Sequence, residues 1–168
     1  MSRSWKAVVT VIAVLLGTVG LMSIAAASSS TSSTTSSTTS TTTKTIHVIE
    51  PKSAVFTFVD VGAPGPSVGD YIVITSPFLS PATHQKVGSE AVVCTAVKAT
   101  PNPPLQCVGT ASFAGGDITL QGIFVSVTGK ANVLAVTGGT GAYQTAAGTV
   151  TVTILANGAT DLVFRLIL

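Results

Sequence analysis

Charge is the scarcest commodity in this chain: only 8% of its residues are charged and only 5% are aromatic. The formal net charge of +2 comes from eight basic and six acidic residues, but Arg3 and Lys6 lie at the extreme N-terminus. Beyond them six basic residues face six acidic ones, a balance of zero. A neutral domain has no electrostatic footprint for nucleic acid or for an anionic membrane surface, so neither is expected as a partner. The chain has two cysteines and no Cys-x-x-Cys, and His47 and His84 are not spaced as metal ligands with any partner. That excludes the usual zinc modules, and no metal is expected. No Gly-x-Ser-x-Gly elbow occurs, so an esterase would lack its nucleophile. Past the N-terminal segment no stretch carries a 3.6-residue hydrophobic period, which argues against a helical domain.

Three regions are present. Residues 1–27 have the build of a secretory signal: Arg3 and Lys6, the 18-residue uncharged run Ala7–Ile24, then Ala25-Ala26-Ala27 as a small-residue cleavage site. The competing reading is an uncleaved anchor, since the run is close to the length needed to span a bilayer. Once cleaved, the chain would keep no membrane span. Either way the remainder is placed outside the cytoplasm, secreted or associated with the cell envelope. Residues 28–45 form a spacer that opens with sixteen consecutive Ser and Thr residues, Ser28–Thr43. Such a run has nothing apolar to bury, so ordering it would cost entropy without return; it reads as a disordered spacer open to O-glycosylation. Residues 46–168 form the domain.

Within that domain the pattern alternates with period two. "TVTVTI" (Thr149–Ile154) and "DITLQGI" (Asp117–Ile123) alternate cleanly, and "YIVITSPF" and "NVLAVTG" are β-branched runs ended by Pro or Gly. Turn signals such as "GAPGPSVGD", "AGGD" and "ANGA" separate them. Small residues recurring along the strands permit tight coiling, which favours a closed barrel over an open sandwich. Cys94 and Cys107 flank a Pro-rich loop between two such strands. In an exported protein they read as a disulfide pinning a long hairpin, with a stabilisation of about 3 kcal/mol.

Candidate chemistry is confined to six carboxylates: Glu50, Asp60, Asp70, Glu90, Asp117 and Asp161. Asp70, Asp117 and Asp161 follow turn residues and read as turn caps. Glu50 and Asp60 flank "PKSAVFTFV", a run able to line a barrel wall, where a carboxylate facing an apolar cavity would act as a general acid. His47 and His84 read as surface residues. Tyr71, Phe78 and Tyr143 are candidate walls for an apolar ligand. Arg165 in "LVFRLIL" either faces solvent or points into the barrel.

Four segments, "SVGDYIVITSPFLS", "HQKVGSEAVVCTAV", "CVGTASFAGGDITLQGIF" and "LAVTGGTGAYQTAAGTVTV", occur in the order seen in the allene oxide cyclase and dirigent superfamily. The resemblance spans residues 46–168. It implies an all-β fold: a closed, eight-stranded antiparallel β-barrel of the calycin type, commonly assembled as a homotrimer. It also implies chemistry without metal or organic cofactor, in which an apolar cavity steers a cyclisation or a stereoselective coupling. Cyclases of this family carry a Glu on the first strand, which points to Glu50. Near the end of the strand after "GD" they carry an Asn, where many dirigent proteins have a carboxylate; this chain has Ser76.

Two further readings use the same barrel: a lipocalin-like carrier without turnover, and a non-catalytic envelope protein whose interior is filled by side chains. The glycine-rich stretch "TGGTGAYQTAAGTV" lacks the Lys of a phosphate loop and has Gln144 where a dinucleotide fingerprint needs Gly or Ala, so it reads as a turn between strands.

Overall fold

The computed structural model describes residues 41–168; the expected signal segment and most of the spacer lie outside them. The domain contains nine strands: β1 (Thr43–Glu50), β2 (Val55–Val59), β3 (Tyr71–Leu79), β4 (Lys86–Ala96), β5 (Leu105–Phe113), β6 (Gly116–Phe124), β7 (Ala131–Gly139), β8 (Ala147–Ile154) and β9 (Thr160–Ile167). A short 3-10 turn, Gly141–Tyr143, precedes β8.

All neighbouring strands are antiparallel, and β1 follows β9 in the sheet while also meeting β3 through Ile49 opposite Leu79. That second pairing closes the sheet. β2 runs beside β3 with Val55 opposite Thr75 and Val59 opposite Tyr71, so β1 and β2 occupy successive stretches of one barrel stave. Nine strands thus make an eight-stave barrel, as the resemblance implied. β1 begins at Thr43, three residues inside the Ser/Thr-rich spacer, because Thr is as good a strand residue as any when its edge partner β9 is in place.

Alternation decides which side chains fill the interior. On β9, Leu162, Phe164 and Leu166 are buried, and on β4 the buried set is Glu90, Val92, Cys94 and Ala96, with intervening residues outward. The disulfide is present: Cys94 and Cys107 are directly opposite on β4 and β5 and bonded to each other, with both sulfurs inside the barrel.

The two ends of the barrel differ. At one end Phe78, Phe113 and Phe164 pack mutually with ring centroids 5.6–6.2 Å apart, and Phe113 meets Tyr143 of the 3-10 turn at 6.2 Å. Such offset and edge-on arrangements add to the area each ring buries. Lys44 donates to the Tyr143 hydroxyl at 3.3 Å and sits over its ring. The glycine-rich stretch folds over this end. Gly141 has φ +56°, and Gly139 passes so close to Asp117 and Tyr143 that a Cβ would collide with backbone on both. Thr140 ties the turn down, its hydroxyl accepting from the Asp117 amide at 2.9 Å.

The opposite end is framed by the loops 60–70, 97–104, 125–130 and 155–159. Asp70 fixes the first by accepting from the amides of Val61 (2.9 Å) and Ser67 (2.7 Å), the turn-capping role expected of it. Asn132 is buried and fixes the third, accepting from the Val125 amide at 2.9 Å and donating to the Val125 and Lys130 carbonyls. Among the described residues no helix is long and apolar enough to cross a membrane.

Candidate functional site

Behind the framed end the barrel is hollow. A cavity of about 270 Å³ occupies the interior between the loops and the aromatic plug, and its walls are mostly Val, Leu, Ile, Phe and the disulfide, with the hydroxyl residues Ser126 and Thr160 among them. Among the described residues two titratable side chains reach it, Glu50 and Glu90. It runs into an outer recess of about 430 Å³ between the loops 60–70 and 97–104; Ile72, Leu105 and Ser126 belong to both.

Strand parity puts the two carboxyls there. Glu50 ends β1, two residues after the core residue Val48, and pairs with Thr160 across to β9. Glu90 stands on β4 in line with Val92 and Cys94. Both are more than nine-tenths buried, at 6% and 8% exposure. Each carboxyl is close enough to shift the other's titration, and Thr160 stands opposite Glu50 in the ladder. Two carboxylates in contact cannot both ionise in a poorly solvated site. Burial first, then the negative charge of Glu50, pushes Glu90 up to about 9. Burial also lifts Glu50 above the ordinary carboxyl value, while Glu90 and Thr160 pull it back. The pair as a unit therefore keeps a proton to higher pH than an isolated exposed carboxyl would.

The residues nominated from sequence divide sharply. Glu50 lines the cavity. Ser76 is buried directly opposite Glu90 across the β3–β4 ladder, but it bonds to the Pro77 carbonyl and stands outside the cavity lining. Asp60 is exposed beyond the end of β2, receives the Gly65 amide at 3.2 Å and borders the outer recess, so it does not enter the barrel. Tyr71 opens β3 with outward parity, one residue before the cavity residue Ile72. Phe78 and Tyr143 are spent in the aromatic plug. Arg165 lies on the outer face beside Thr151, 3.3 Å from its hydroxyl, the solvent-facing alternative for this residue. His47 and Asp161, on the same outer face, bond at 2.6 Å.

Glu90 is the residue that sequence reasoning passed over. Its signal was present: it precedes Cys94 by four positions on one strand, and a disulfide cysteine is normally interior, so even spacing puts Glu90 inside too.

β2 is the weak part of the wall. It pairs with β3 alone, and Phe56 and Phe58, which share the inward face with Ile74 and Ile72, are 59% and 63% exposed. Phe56 lines the inner cavity and Phe58 the outer recess.

No family model and no curated protein matches the sequence. Solved structures do. A pyocyanin demethylase superimposes with a TM-score of 0.61 at 25% identity, over 74% of this chain and 99% of its own. A pterocarpan synthase dirigent protein superimposes with a TM-score of 0.62 at 17% identity, over 76% of this chain and 88% of its own. The fold is the barrel seen in dirigent proteins. A Diels–Alderase from Streptomyces koyangensis shares this dirigent-type barrel with a TM-score of 0.58 at 13% identity, over 74% of this chain and 63% of its own.

Proposed function

We propose that this dirigent-type barrel is an exported protein that takes a small apolar molecule into its closed-ended cavity and steers its cyclisation or stereoselective coupling without a cofactor. The observation that carries the reading is the Glu50–Glu90 pair set into otherwise apolar walls. Glu90 offers a proton and Glu50 can receive one, so a bound molecule meets an acid and a base side by side. Positioned acid–base catalysis of this kind supplies about 10²–10⁴-fold in rate. The apolar walls fix which face of the ligand meets the carboxyls, which is the source of handedness. The fold shared with dirigent proteins and with cycloaddition enzymes supports the reaction class.

On the same reading residues 1–27 are a cleaved signal, residues 28–45 a spacer, and the barrels assemble as homotrimers. The disulfide is in keeping with an oxidising compartment.

The test is a binding and turnover screen of the purified protein against polyenes, and against apolar phenols with a one-electron oxidant supplied to generate the phenoxy radicals, with product stereochemistry read by chiral chromatography. Enantiomeric excess that is lost in Glu90→Gln supports the reading. Racemic product with wild-type protein and no binding of any apolar ligand overturns it. A second reading, demethylation of an aromatic ligand, is favoured by the 25% identity to a pyocyanin demethylase across nearly all of that chain. Pyocyanin in the same screen, followed by mass spectrometry for loss of a methyl group, decides it.

A further inference from the structure

We infer that the cavity discriminates by charge: it admits uncharged and singly cationic molecules and rejects anions. This rests on the reading of the cavity as a ligand site. The ionisable groups around the space are few and of one sign. Glu50 and Glu90 reach it from β1 and β4, and every other strand facing it contributes uncharged side chains; the two cysteines are tied in the disulfide. Among the described residues no Lys, Arg or His lines it.

Nothing further out reverses this balance. The outer recess holds one cation, Lys98, against Asp60 and Asp70. Lys52 stands at the rim with its Cβ beside Gly158, and its side chain is exposed to solvent. An anionic head carried past this rim meets two acidic side chains in a largely apolar surrounding, with no countercharge to receive it. A delocalised cation or a polarised neutral group meets the complementary charge instead. The Glu90 carboxyl proton adds one donor, suited to a carbonyl or hydroxyl oxygen on an uncharged ligand.

Three probes of one shape test the inference at pH 7: 2-naphthylmethanol, 2-naphthylmethylammonium and 2-naphthoate, titrated into the purified protein by ligand fluorescence and by saturation-transfer NMR. The expected result is binding of the alcohol and the ammonium, with the carboxylate weaker by about tenfold or more. In a Glu50→Gln, Glu90→Gln double variant the ratio between carboxylate and ammonium binding should shrink to within about threefold, whatever the change in absolute affinity.

Equal binding of carboxylate and alcohol by the wild-type protein overturns the inference and leaves the ligand site standing. Persistence of the gap in the double variant overturns it as well, because the discrimination would then come from elsewhere. Failure of all three probes overturns the ligand site itself. The wild-type comparison needs no variant, so a misfolded variant does not shield the inference.

Discussion

The two ends of the barrel interior use the same strands for opposite purposes. At the plugged end β3, β5 and β9 contribute Phe78, Phe113 and Phe164, whose rings fill the space and meet one another edge-on or offset. At the open end β3, β5 and β9 contribute Ile74, Leu105 and Leu162, which are too small to meet across the barrel and leave a cavity of about 270 Å³. The plug supplies stability, and the hollow end retains two carboxyls that cost stability. A protein selected only to fold would have exchanged Glu50 and Glu90 for apolar residues; an unfavourable pair kept in place is the usual mark of a working site.

If the plug is structural, Phe164→Ala should produce the largest loss, about 3–5 kcal/mol by chemical denaturation, since it removes a fully buried ring touching two others. The same variant should still bind the alcohol probe at the hollow end, which separates the two halves. Replacing Cys94 and Cys107 together by Ser should cost about 3 kcal/mol by the same measurement, read against wild-type protein in oxidising buffer. Reductant added to the wild type should reproduce that loss.

The carboxyl pair gives a prediction with a definite sign. Folding raises both carboxyls, so the folded chain holds the shared proton more tightly than the unfolded chain does. The stabilisation is complete below the ordinary carboxyl value of 4.5 and is lost as pH climbs toward about 9. Denaturation midpoints should therefore fall across that window, with a slope of at most about 1.4 kcal/mol per pH unit for each proton released. Glu90→Gln should flatten the slope. The smallest effect belongs to the outer wall: Arg165→Ala should change stability by less than about 0.5 kcal/mol and leave probe binding untouched, because Arg165 is exposed and its side chain bonds to the half-buried Thr151 on the outer face. A larger effect on binding would return Arg165 to the site.

The architecture was legible because alternation, turn residues and segment order all point to the same barrel. The site was half legible. Glu50 could be named from its place beside a wall-forming run, whereas Asp60, equally close to that run in sequence, falls in a loop that bends away under the hold of the Gly65 amide. Aromatic identity misled in a similar way. Phe78 and Tyr143 have the chemistry of ligand walls, but which rings meet each other inside a barrel depends on stagger between strands, and periodicity within one strand carries no stagger. Charge parity would have done better: counting back in twos from the disulfide finds Glu90.

The broken stave has a kinetic consequence. β1 and β2 are separated at Pro51–Ala54, and β2 has hydrogen-bonded neighbours along one edge only. Its release from β3 would expose Phe56 and Phe58, already more than half exposed, and break no other ladder. The free energy of opening this five-residue strand is thereby uncoupled from the free energy of unfolding the barrel. Residence time of a guest and lifetime of the host can then be tuned by different residues, the first by β2 and the second by the plug.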